Sequence, residues 1–101
     1  MSFIWDTCSV IQLIKESKPP LLLKGFVLKS QEEELSKLNP KFNKFLNWLD
    51  CPVKKPDDAL LYMAKKGYTV ITLDKILIKR IVKSNSRVKH YRTFFQDFNS
   101  M

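Results

Sequence analysis

Three aspartates stand where a strand is expected to hand over to a helix, or where a helix is expected to begin. Asp6 ends the apolar run Ser2–Asp6 (SFIWD), Asp74 follows the run Tyr68–Thr72, and Asp57 follows Pro56 at the head of a helical stripe. Carboxylates so placed do one of two things. As helix caps they accept from the backbone N–H groups of the first turn, where Asp is among the favoured residues. As a cluster they repel one another and are costly unless a cation neutralises them. Ligands of parallel sheets bind beyond the carboxyl ends of the strands, where Asp6 and Asp74 are expected to lie. Capping suffices for either Asp alone; the repeated strand–Asp–helix handover in one short chain favours a shared site.

The elements that must position these acids are clearest in DDALLYMAKKGYTVITLDKILIKR, residues 57–80. Pro56 cannot extend a helix backwards, and Asp57 is a good N-cap. Leu60, Leu61 and Ala64 follow Asp57 at i+3, i+4 and i+7, one apolar stripe at helical spacing. Asp57 shares that phase and is expected to face the sheet, with Asp58 turned about 100° further round, towards solvent. Lys65 and Lys66 suit the negative end of the helix dipole, and Gly67 can take the left-handed closing position. Tyr68–Thr72 has the β-branched composition of a strand buried on both faces. Asp74 is then placed to cap a helix over Lys75–Lys83.

Upstream, Thr7 to Ser17 reads as a helix with Val10, Ile11, Leu13 and Ile14 apolar. Lys18-Pro19-Pro20 breaks the chain, and Leu21–Leu28 reads as a second strand with Gly25 as a bend. Ser30 and Glu33 fit a capping box for a helix over Gln31–Leu38. Asn39-Pro40 fits a cap and first helical position. Phe42, Phe45, Leu46 and Leu49 then fall at i, i+3, i+4 and i+7, which predicts another helix with an apolar face large enough for a homodimer contact. Cys51–Val53 is a candidate third strand, Ser84–Ser86 a turn, and the alternation within Arg87–Phe98 suggests a final strand.

Composition narrows the function classes. A chain of 101 residues with 45% hydrophobic content is expected to be a single domain, residues 1–101, with one core. No apolar run approaches the ~20 residues that span a bilayer, so no membrane partner is expected. The opening MSFIWDTC lacks the positive n-region of a signal peptide, and a cytoplasmic protein is expected. Cys8 and Cys51 show no zinc spacing and read as small buried hydrophobes; His90, the single histidine, reads as a surface or strand residue. A Ser/His or Cys/His pair has no support. Eighteen Lys and Arg against ten Asp and Glu give a net charge of +8, which fits a polyanionic partner, nucleic acid first, as well as a lysine-rich solvated surface.

Three segments taken in order, IWDTCSVIQLI, FVLKSQEEELSKL and DDALLYMAKKGYTVITLDKILIKR, resemble the PIN domain over residues 2 to about 83. That metal-dependent nuclease family includes the toxins of many prokaryotic toxin–antitoxin pairs and some ribosomal-RNA processing factors. The resemblance implies a three-layer αβα fold, with a mostly parallel sheet of four or five strands and helices on both faces. It implies an acidic cluster of Asp6, Glu34, Asp57 and Asp74, with Thr7 and Thr72 as supporting hydroxyls. Glu34 has two acidic neighbours, Glu32 and Glu33, in the same turn. The 22 residues between Glu34 and Asp57 leave room for one helix and a short strand, where many family members have more helix.

Asp6, Asp57 and Asp74 would be the metal ligands. Hard oxygen donors of this kind suit Mg²⁺ or Mn²⁺, which keep waters and can bind a phosphate oxygen. The expected function is therefore an endoribonuclease that hydrolyses RNA phosphodiester bonds. Lys54, Lys55, Lys75, Lys79 and Arg80 would hold the RNA backbone, and a small antitoxin-like inhibitory protein is a possible further partner. The alternative is a non-catalytic basic RNA- or protein-binding module that keeps the fold.

Overall fold

A computed structural model describes residues 2–19 and 22–99. Five short strands, β1 (Phe3–Trp5), β2 (Phe26–Leu28), β3 (Asn47–Leu49), β4 (Thr69–Thr72) and β5 (Val88–His90), form one sheet in the order β3-β2-β1-β4-β5. Every pairing is parallel. The helices are α1 (Thr7–Lys15), α2 (Glu32–Leu38), α3 (Pro56–Lys65), α4 (Lys75–Lys83) and α5 (Tyr91–Asn99).

Strand side chains alternate between faces, and the register aligns that alternation across the sheet. Trp5, Val27 and Ile71 lie on one face with Val10 and Leu13 of α1, Leu35 of α2 and Tyr91, Phe94 and Phe95 of α5. Ile4, Leu28 and Val70 lie on the other with Ala59, Leu60, Met63 and Ala64 of α3 and Leu77 and Ile81 of α4. The result is the three-layer αβα architecture expected from the sequence, with the sheet parallel throughout. Among the described residues, no helix is long and apolar enough to cross a membrane.

Several elements differ from the sequence reading. The second strand begins at Phe26, not Leu21, because Gly25 turns the backbone at φ +123° just before it; Leu21 itself lies outside the described residues. The expected capping box does not form: Lys29–Gln31 make a 3₁₀ turn, and Gln31 sits at the N-cap of α2 without a side-chain cap.

The helix expected after Pro40 is a 3₁₀ turn over Phe42–Phe45, capped by Asn39 Oδ1 accepting from Phe42 N at 3.2 Å, followed by β3. The open edge of β2 claims Asn47–Leu49 as a strand, so helical phase loses to strand pairing. The apolar stripe is thereby split: Phe42 and Leu46 fill the chain's own core, and Phe45 is 64% exposed. No helix face remains there to carry the dimer argument. The third strand lies at Asn47–Leu49 rather than Cys51–Val53.

At the C-terminal end, β5 covers Val88–His90 and the chain then turns into α5 instead of continuing as a strand. Tyr91, Phe94 and Phe95 stand at i, i+3 and i+4, and their rings surround Trp5 at centroid distances of 6.4, 5.2 and 6.2 Å. Burial of this aromatic face outweighs the alternation seen around Val88.

Glu16 ties α5 to α1. Its carboxylate accepts from Gln12 Nε2 at 3.0 Å, Tyr91 Oη at 2.7 Å and Arg92 Nη1 at 2.8 Å, and pairs with Lys18 Nζ at 3.0 Å. The hydrogen bonds from Gln12, Tyr91 and Lys18 hold Glu16 far below the usual carboxylate range. Burial, then the bond to Glu16, pushes the Tyr91 hydroxyl up. A depressed carboxylate stabilises the fold above its unfolded pKa of about 4.3 and loses that contribution as pH falls towards its folded value. Glu16→Gln is therefore expected to be less stable than wild type at pH 7, with the gap closing below about pH 4. Urea midpoints across that range test this; a gap independent of pH would show that the charge of Glu16 contributes nothing.

Candidate functional site

Strands β1 and β4 are neighbours running in the same direction, with Ile4 opposite Val70 and Trp5 opposite Ile71. Asp6 and Asp74 follow these strands and so emerge at the same sheet edge. The strand order also reverses there: β2 and β3 lie to one side of β1, β4 and β5 to the other. Crevices at such reversal points are where open α/β sheets take ligands.

Asp6 holds the N-cap position of α1, yet its side chain makes no capping bond. Its backbone N–H donates to Ile71 O at 2.9 Å, which fixes the residue to β4. Its Oδ2 instead accepts from Thr72 Oγ1 at 2.7 Å and from Cys8 Sγ at 3.1 Å. Thr72 is fully buried, and its hydroxyl in turn accepts from the backbone N–H of Asp74 at 3.0 Å. One threonine thus fixes both acids: its proton goes to Asp6 and its lone pair to Asp74 N. Burial, followed by the charge of Asp6, raises the pKa of the Cys8 thiol and keeps it protonated as a donor.

Asp74 does cap its helix, Oδ1 accepting from Ile76 N at 2.9 Å and Leu77 N at 3.2 Å. Asp57 does not cap. The helix begins two residues earlier than expected, with Lys55 at the N-cap and Pro56 inside the first turn. Asp57, expected to face the sheet, is exposed at the start of α3. The desolvation it still suffers raises its pKa, and the negative charges of Asp6 and Asp74 raise it further, against Arg80, which lowers it. The charges of Asp6 and Asp74 are thus both felt at Asp57.

Asp58, expected to point to solvent, is half-buried and bound to Arg80 of α4, Nη2 to Oδ1 at 2.9 Å. Lys55, Pro56, Asp57, Asp58 and Arg80 line an open cleft of ≈ 450 Å³.

The other candidates are less engaged. Glu34 is exposed on α2, and no hydrogen bond or ion pair joins it to the three aspartates among the described residues. Thr7, half-buried at the start of α1, makes no such contact either. Lys54, Lys75 and Lys79 are exposed. Sequence reasoning missed Cys8; its place two residues after Asp6, in the first turn of α1, was the available signal. His90 faces Thr72 across the β4–β5 pair, and its Nδ1 accepts from Arg92 N at 3.1 Å at the start of α5.

Neither a family model nor a curated protein matches the chain.

The donor set suits a hard divalent cation. Asp6, Asp57 and Asp74 are oxygen donors, and a cation would relieve the repulsion that Asp6 and Asp74 exert on Asp57. They do not form a closed cage: among the described residues no three His, Cys, Asp or Glu side chains converge as ligands. Mg²⁺ does not require one, since it is usually held by one or two carboxylates, waters and substrate phosphate.

Proposed function

We propose that the chain is a metal-dependent endoribonuclease acting at the β1–β4 switch point. The observation that carries this reading is the behaviour of Asp6. A carboxylate at an N-cap position ordinarily satisfies the helix's free N–H groups. Asp6 leaves them and is instead held by a buried threonine, in the electrostatic company of Asp57 and Asp74. A side chain locked by a supporting hydrogen bond on a rigid strand end is how a ligand or catalytic group is pre-organised.

Asp6, Asp57 and Asp74 would hold Mg²⁺ or Mn²⁺, which would supply Lewis-acid activation of the attacking water and neutralise charge on the phosphate. The protein's own contribution is positional. Thr72 orients Asp6 and the backbone of Asp74, and Cys8 supports the same oxygen of Asp6. Arg80 and Lys55 place positive charge in the adjoining cleft, where a nucleic-acid backbone can be held. RNA, rather than another phosphodiester, follows from the resemblance to PIN domains.

The purified protein is expected to cleave single-stranded RNA in Mg²⁺ or Mn²⁺ and to stop in EDTA. Salt-sensitive RNA binding without cleavage in either ion would sink the reading and favour a binding module on the same fold.

A further inference from the structure

We propose that Asp58 is a positioning residue that holds Arg80 at the cleft as its phosphate-binding cation, so that the two form a clasp for a nucleic-acid backbone beside Asp57. The identity of the ligand rests on the nuclease reading above; the clasp itself rests on the geometry of the cleft. Asp58 comes from the first turn of α3 and Arg80 from the second turn of α4, and both line the cavity. Their contact at 2.9 Å bridges the two helices at its wall. An acid in the first turn of α3 suits the helix N-terminus, but that alone does not direct its side chain to Arg80 of α4.

A guanidinium carries five N–H donors in a planar fork, and this contact uses Nη2. The side chains of Arg80 and Asp58 remain 43% and 46% exposed, so the fork keeps donors open to an anion. A long side chain that must order itself on binding loses rotamer freedom at that moment. Asp58 removes part of that cost beforehand by restraining the fork, as pre-organisation does in tight sites. A phosphate seated against Arg80, with Lys55 in the same lining, lies next to Asp57 and so next to the proposed reaction centre. Arginine is the residue suited to this task, because its fork matches two phosphate oxygens at once.

An acid beside a phosphate site is unfavourable by charge alone, and this gives the test its sign. Binding of a fluorescein-labelled single-stranded uridine oligonucleotide is followed by anisotropy in EDTA, for wild type, Asp58→Asn, Arg80→Ala and the double variant. Thermal melts confirm that each is folded. Arg80→Ala is expected to weaken binding about tenfold and to flatten the slope of log K against log salt by about 0.7, the value for one phosphate contact to a single strand. Asp58→Asn is expected to weaken binding about two- to fivefold although it removes a negative charge. In the Arg80→Ala background, where nothing is left to position, the same change should be neutral or should tighten binding. Asp58→Glu should restore part of the loss.

Unchanged or tighter binding by Asp58→Asn in the wild-type background would overturn the clasp, as would a wild-type protein that does not bind the oligonucleotide. The two readings fail separately. Binding with the expected pattern but no cleavage in Mn²⁺ leaves the clasp and removes the nuclease; metal-dependent cleavage with tightened Asp58→Asn does the reverse.

Discussion

Asp6→Asn is expected to lower manganese-dependent RNA cleavage roughly a hundredfold or more, the scale on which losing one positioned catalytic group acts. Stability should change far less. The amide oxygen of Asn can still accept from Thr72 and Cys8, so what is lost is the charge assistance of two hydrogen bonds, about 1–2 kcal/mol. Relief of repulsion with Asp57 offsets part of that loss. Since the Asp6 side chain makes no capping bond, a capping deficit does not enter.

The same variant carries a readout that needs no enzyme activity. Residual desolvation, and then the charge on Asp6, push the pKa of the exposed Asp57 up. Removing that charge should bring the Asp57 pKa down towards the normal carboxylate range, with desolvation and Asp74 sustaining the remainder. A carboxyl-carbon NMR titration measures this directly. An unmoved Asp57 would mean that the two acids do not share a site, whatever the cleavage assay reports.

How much of this was legible in the sequence depended on whether local or distant contacts decided each element. Asp74 and α4 could be read because an N-cap and the apolar phase of Leu77 and Ile81 are local facts, confirmed by the bonds to Ile76 N and Leu77 N. Strand β4 could be read because Thr69–Thr72 is buried on both faces and its composition says so. The segment Phe42–Leu49 was misread because helical spacing there competes with the unpaired edge of β2, and that edge is contributed by residues some twenty positions away. Within Arg87–Phe98, three alternating residues concealed the i, i+3, i+4 pattern of Tyr91, Phe94 and Phe95, whose burial against Trp5 the chain alone does not display. The site divides in the same way. Asp6 and Asp74 were visible at their strand ends, whereas the pairing of Asp58 with Arg80 depends on how α3 and α4 approach each other. The support that Thr72 and Cys8 give to Asp6 depends on β4 lying beside β1.

Gly25→Ala is expected to have the largest effect on stability. Gly25 turns the chain into β2 at φ +123°, a conformation that L side chains rarely adopt. An added Cβ would also stand 2.3 Å from the carbonyl oxygen of Phe3 and 2.9 Å from its carbonyl carbon, both backbone atoms of β1 that cannot swing aside. The backbone conformation alone costs about 1–3 kcal/mol, and overpacking against a fixed neighbour costs a similar amount again. Against a typical domain stability of about 5–15 kcal/mol, the variant loses a large share of its stability, and towards the lower end of that range it is left marginal or unfolded at 25 °C. Gly67 supplies the control. It has φ +109°, close to that of Gly25, but a Cβ there meets nothing within 4 Å. Gly67→Ala should therefore show the conformational cost alone, and the difference in urea midpoint between the variants isolates the contact with Phe3. Equal midpoints would show that β2 does not approach β1 as closely as described. Because Phe3 lies in the strand that ends at Asp6, any folded Gly25→Ala protein must shift β1 to make room, and the Thr72–Asp6 bond should lengthen with it. Cleavage by that folded fraction should then fall further than its population accounts for, whereas Gly67→Ala, with no such contact to relieve, should lose activity only in proportion to its unfolded fraction.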